Sequence, residues 1–151
     1  MAVCGLNFAA LILYANMVKT HQYFIEYSPE IRESIATDLV AKYASNCKIA
    51  LDKYGFWMLM DDGVGKVSIT EMEGDSIETI FGCLSQHISL GSTVILMINA
   101  KENLSFPISD MAFISQVGAM LPSYTDLIWG VGVNKTITSE FQFVIIAKAL
   151  K

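Results

Sequence analysis

Basic residues are scarce in this chain and never cluster: ten Lys and Arg stand singly among 151 residues, against fifteen Asp and Glu. The formal net charge of −5 therefore comes without the basic stripe that a phosphate backbone demands, so no nucleic-acid partner is expected and anionic partners are disfavoured generally. Cysteine is nearly missing as well. Cys4, Cys47 and Cys83 are odd in number, far apart, and show no metal-ligand spacing with His21 or His87. Neither a disulfide framework nor a metal site is expected from them, and reduced buried thiols in a cytoplasmic protein are the plain reading. A run of about 20 apolar residues, the length that spans a membrane, is also lacking. The apolar stretch Ala2 to Met17 is interrupted by Asn7 and Asn16 and stops at Lys19, and it has neither the early positive charge nor the small-residue cleavage site of a signal peptide. It reads as a buried helix, and no membrane contact is expected. What remains abundant is core material. With 53% hydrophobic and 17% charged residues, the chain is long and apolar enough for one compact domain, alone or with a helical extension.

Taken in order, the pattern predicts a first helix over about Leu6 to Tyr27. Ser28-Pro29-Glu30-Ile31 reads as a helix start, with Ser28 as cap, Pro29 in the first turn and Glu30 and Glu33 facing the positive helix end. Ile31, Ile35, Leu39 and Tyr43 recur on one helical face and carry a second helix to about Ser45. Phe56 to Met60, wholly apolar and bounded by glycine and aspartates, reads as a first strand. Thr70-Glu-Met-Glu73 has capping-box spacing and predicts a helix from about Glu71 to His87, with Ile77, Ile80, Phe81, Leu84 and Ile88 as its buried stripe. Gly91 to Asn99 is a strand apolar on both faces, hence central. Leu104 onward predicts a helix with Pro107 in its first turn, stopped by Pro122. Leu127 to Val133 and Phe141 to Ala149 are two further strands. Asn134 to Glu140 between them has turn chemistry, which predicts an antiparallel hairpin. The expected fold is α/β: a four-stranded mixed sheet in the order strand, helix, strand, helix, strand, strand, preceded by two N-terminal helices. Residues 1–45 form the helical extension and 46–151 the sheet domain. Val144, Ile145 and Ile146, with Ile95, Leu96 and Met97, are expected to be buried.

Few residues invite a chemical reading. Asp61-Asp62-Gly63-Val64-Gly65-Lys66 places glycines beside a lysine, as phosphate-cradling loops do. Val67-Ser68-Ile69 then replaces the Ser or Thr and immediate helix such a loop needs, and two aspartates repel phosphate. The other oxygen ligands of a calcium loop are missing too. An ordinary solvated connection is expected, and Asp61, Asp62, Gly63, Gly65 and Lys66 are the candidate interaction loop. His87 reads as a cation at a helix C-terminus and Cys83 as packing, and no paired nucleophile and base or cofactor fingerprint is legible. No catalytic residue, cofactor or metal is expected.

The last quarter also carries a resemblance. Ile128-Trp-Gly130, an asparagine four residues later, and a strand opening after Glu140 and finishing in Ile145-Ile-Ala147 resemble the end of the FtsZ/tubulin family's C-terminal domain. Gly55-Phe-Trp-Met-Leu-Met60, Ile88-Ser-Leu-Gly-Ser-Thr-Val-Ile-Leu-Met-Ile-Asn99 and Leu104-Ser-Phe-Pro-Ile-Ser-Asp110 follow in the family's order, so the resemblance covers about Asn46 to Leu150. The family's glycine-rich phosphate loop has no counterpart in the sequence. The positions of the family's hydrolysis-completing acids fall on Tyr43 and Asn46, and a phenol and an amide cannot polarise water as carboxylates do. The resemblance thus implies a non-catalytic assembly or regulatory module tied to cell division or cytoskeletal filaments. It is expected to act through a protein partner or as a homodimer held by its N-terminal helices. The alternative is a small-molecule-binding or enzymatic α/β domain using the 61–66 loop with His87 or Cys83.

Overall fold

Two buried strands set the architecture. Thr93–Ala100 is buried along its whole length, and Phe141–Lys148 is buried from Gln142 to Ala147. The computed structural model describes residues 18–44, 53–60, 63–84, 93–102, 115, 116, 118, 119, 121 and 125–149. Within them, five strands form one sheet: β1 (Lys19–Tyr27), β2 (Gly65–Gly74), β3 (Thr93–Ala100), β4 (Asp126–Val133) and β5 (Phe141–Lys148), in the spatial order β1-β2-β5-β3-β4. All neighbours pair antiparallel except β3 and β4, which run parallel. Helices α1 (Arg32–Leu39, continued by a π-helical turn Val40–Ala44), α2 (Lys53–Leu59) and α3 (Ile77–Leu84) complete the described elements.

The sheet divides the core in two. On one face, Ile69, Ile146, Ile95 and Met97 pack against Ile35, Leu39 and Tyr43 of the first helical segment and Phe56 and Leu59 of α2. On the other, Met72, Leu96, Phe143 and Ile145 pack with Ile80 and Cys83 of α3. Ile95, Leu96, Met97, Val144, Ile145 and Ile146 are all buried, as expected for strands covered on both sides.

Several expectations are corrected. The helix over Leu6 to Tyr27 gives way, over its described part, to edge strand β1; residues 1–17 lie outside the described residues. Tyr23, Ile25 and Tyr27 turn inward while Gln22, Phe24 and Glu26 are exposed, a period of two that the apolar start of the chain obscured. Phe56 to Met60 is not a strand but lies in and just after α2. Phe56, Leu59 and Met60 are buried while Trp57 and Met58 face solvent, so the period is helical, and a five-residue apolar run does not by itself distinguish the two. The helix from Glu71 starts late: β2 continues to Gly74, and α3 is capped by Ser76, whose Oγ accepts the Thr79 N–H at 3.4 Å. The capping-box spacing at Thr70 to Glu73 lies inside a strand.

The sheet accordingly has five strands, not four, and the C-terminal hairpin does not form. β3 lies between β4 and β5 and pairs with both. The doubly covered β3 takes an interior place beside β5, and residues 134–140 readily cross it, since two strand spacings are about 10 Å and seven extended residues span roughly 23 Å. The second predicted helix is present as α1 with its π-helical turn, whereas the predicted helix from Leu104 falls mostly outside the described residues. β1 and α1 belong to the same sheet and core as the later elements.

Gly65 opens β2 where the chain passes over Tyr27. A Cβ there would lie 2.6 Å from the Tyr27 hydroxyl oxygen, inside contact distance, and Tyr27 is buried. Gly65→Ala should therefore destabilise the fold by about 1–3 kcal/mol. Denaturant midpoints of Gly65→Ala, Tyr27→Phe and the double variant check this: the double variant should lose clearly less than the sum, because removing the hydroxyl relieves part of the clash.

Candidate functional site

The sequence placed its interaction loop at 61–66. Asp61 and Asp62 lie outside the described residues; Gly63 and Val64 are exposed, and Gly65 and Lys66 open β2. Lys66 Nζ sits 3.9 Å from Glu26 Oε1 on the neighbouring strand, a solvent-exposed pair worth little. Beside it lies a cleft of about 600 Å³ walled by Glu26, Tyr27, Ser28, Ile31, Val64 and Lys66, and Ala149 closes one side. Apolar side chains stand open at this place: Val64 is 67% exposed and Ile31 46%. Next to Ile31, the Arg32 guanidinium lies 3.9 Å over the Trp57 ring and donates to the Trp57 carbonyl at 3.0 Å. The stacking contributes about 0.5–1 kcal/mol at such an exposed site and fixes the indole at the surface. Trp57 and Met58 remain 39% and 42% exposed. Ile31 and Val64 thus stand exposed on the cleft, and Trp57 and Met58 are exposed beside Arg32, the residue next to Ile31. Glu30, beside it, is held below the usual carboxylate range by a backbone hydrogen bond and by Ser28. The sequence reading missed Trp57 and Met58 because it counted both as interior to a strand.

The opposite end of the sheet is polar. Across β2, β5 and β3, the row Ile69, Ile146, Ile95 is wholly apolar, whereas the row Glu73, Gln142, Asn99 is wholly polar. The π-helical turn hangs over this end. Lys42 Nζ donates to the Tyr23 hydroxyl at 3.0 Å and lies 4.9 and 5.2 Å from the ring centres of Tyr23 and Tyr43, whose hydroxyls bond each other. The bond to Tyr23 pushes the Lys42 ammonium's pKa up. Burial, then the Tyr23 bond and the charge of Glu71, push the Tyr43 phenol strongly up. Neither group is tuned toward nucleophilic or general-base work at neutral pH. Cys83 is buried and its thiol is pushed up by that burial, which suits packing. His87 is outside the described residues, and among those described no three His, Cys, Asp or Glu gather as metal ligands. The structure does not bring Cys83 and Lys66 together: Cys83 is packed in the core on α3, whereas Lys66 is exposed at the start of β2.

A mixed five-stranded sheet carrying helices against both faces is the part of the chain that a comparison with solved proteins can test. The fold is FtsZ-like. Seventy-one per cent of this chain superposes on the empty FtsZ dimer of M. jannaschii with a TM-score of 0.51 at 15% identity. The chain spans one third of that protein's length, 33%. No family model matches the chain, and no curated protein matches it in sequence. At this identity the FtsZ likeness concerns the fold alone. Among the described residues no helix is long and apolar enough to cross a membrane.

Proposed function

We propose that this chain is a non-catalytic, cytoplasmic module related to the C-terminal domain of the FtsZ/tubulin family, acting by protein–protein contact in cell division or filament assembly. We place its contact on the face of Ile31, Trp57, Met58 and Val64, with a second copy of the chain as the occupant. The observation that carries this is the exposure of those four large apolar side chains, with Arg32 stacked on Trp57, the aromatic-plus-arginine composition that interface centres favour. The solved FtsZ of like fold is itself a dimer, which supports self-association as the mode. The N-terminal helices expected to hold the dimer are replaced, over residues 19–27, by a strand already paired to β2, so the contact moves to α2 and the turn before α1. Support for the non-catalytic reading comes from the sequence, where no glycine-rich phosphate loop stands.

Sedimentation across a concentration series should give twice the monomer mass. Trp57→Asp combined with Met58→Asp should give a folded monomer, because both side chains are exposed and the main loss is the Arg32 stacking, about 1 kcal/mol. A wild-type chain that stays monomeric throughout the series would remove the self-association. Calorimetry with GTP should show no heat of binding, and saturable GTP binding or phosphate release would overturn the non-catalytic reading.

A further inference from the structure

The polar end of the sheet holds a pocket of about 500 Å³, within the range of small-ligand sites, lined by Lys42, Tyr43, Glu71, Asn99, Thr136 and Gln142 among others. Its floor is a chain of amides whose orientation is fixed by the bonds they make. The Thr136 backbone N–H donates to Asn134 Oδ1 at 3.1 Å, so the Asn134 amide nitrogen faces Gln142, donating to its Oε1 at 3.3 Å. Asn99 Nδ2 donates to the same oxygen at 3.0 Å. Turning any of these amides over would set like against like, which leaves one assignment. With that assignment, Gln142 Nε2 and Asn99 Oδ1 have no partner among the described residues, although the two side chains are 6% and 5% exposed. Neither atom is among the fully buried unpartnered side-chain atoms of the described residues, so both keep some accessible surface, and both residues line the pocket. Polar groups this deep are nearly always satisfied, and an unmade donor beside an unmade acceptor is a template for a ligand of the opposite pattern.

We propose that this pocket binds a small neutral molecule presenting an N–H donor beside a carbonyl acceptor, an amide-type edge, read by Asn99 Oδ1 and Gln142 Nε2. The charges around it argue for neutrality. Glu71 and Glu73 repel an anion, and a purely cationic ligand leaves the Gln142 N–H without an acceptor. Glu73 is already occupied, its Oε1 accepting the Thr138 and Ser139 backbone N–H groups at 2.9 and 3.3 Å. Tyr43 and Lys42 are engaged with Tyr23 and serve as walls. The site lies at the other end of the sheet from the apolar face of Ile31 and Trp57, so ligand binding and self-association are separately testable.

The test is a titration of isotope-labelled protein, following side-chain amide resonances, with uracil as the amide-edge probe, myo-inositol as a polyol and spermidine as a cation. Uracil should shift the Asn99 and Gln142 side-chain signals saturably while the other two do not. Gln142→Glu keeps an oxygen for both asparagines to donate to but removes the free N–H. It should weaken uracil binding about tenfold, the worth of roughly one hydrogen bond. If that variant does not fold, the wild-type titration decides through the location of the shifts. No saturation by uracil, shifts mapping away from Asn99 and Gln142, unchanged binding by Gln142→Glu, or saturation by inositol or spermidine would each overturn the proposal. Tighter binding of N-acetylglycinamide than of uracil would overturn the small-molecule assignment in favour of a peptide segment.

Discussion

Replacing Ile146 by Asp should leave no soluble, folded protein. Ile146 has no exposed surface, and it sits in β5 with Ile69 of β2 on one side and Ile95 of β3 on the other, under α1 and α2. No basic side chain among the described core residues is available to pair with a carboxylate there. A buried unpaired charge costs more than the about 5–15 kcal/mol by which domains are held folded, and even the neutral acid leaves a cavity and an unsatisfied hydroxyl. Ile146→Val, losing one methylene, should cost about 0.5–1.5 kcal/mol and keep the fold. Circular dichroism and soluble yield of the two variants distinguish them, and a soluble Ile146→Asp chain with native ellipticity would mean that β5 is not central.

Strong alkali should unfold the molecule through Tyr43. Its phenol is held well above its ordinary value of 10.0 by burial, by its bond to Tyr23 and by the negative charge of Glu71. A group whose folded-state pKa is raised contributes stability below its unfolded value and loses it as pH climbs above that value, so the loss begins near pH 10. Lys42, raised mainly by its bond to Tyr23, acts in the same direction. Thermal melts at neutral pH and through the tyrosine range should show the wild type losing stability steeply above about pH 10. Tyr43→Phe should be weaker by about 1 kcal/mol at neutral pH, for the lost bond to Tyr23, yet decline less steeply in alkali. Parallel curves for the two chains would show that Tyr43 ionises freely in the folded state.

The strands β3, β4 and β5 were legible because residues 94–98, 127–133 and 143–147 are apolar on both faces and rich in β-branched side chains. β1 was not, because its inward residues are aromatic and interleaved with Gln22, Phe24 and Glu26, so it bears neither a continuous apolar run nor a clean helical stripe. α2 was misread because Phe56 to Met60 is too short for its period to show, and that error hid Trp57 and Met58 from view. Of the 61–66 loop, Gly63, Val64 and Lys66 are exposed, and Val64 and Lys66 border the cleft. The amide row left only a faint mark, Asn99 and Gln142 standing as lone polar residues at the ends of two apolar strands. Which strands are neighbours depends on distant parts of the chain, and no local pattern stated that β3 would separate β4 from β5.

That separation governs how the molecule can be made. β5, the last of the described strands, is the one that joins the β1–β2 pair to the β3–β4 pair. Until it emerges from the ribosome, a growing chain holds two separate strand pairs, each with an edge of unpaired backbone N–H and C=O groups. Closure then proceeds by insertion of one segment between two waiting edges, with partners tens of residues distant, the kind of event that is slow and leaves the intermediate prone to pair with other chains. A nascent chain stalled before residue 141 should therefore depend on a chaperone, and release of the final strand should end that dependence.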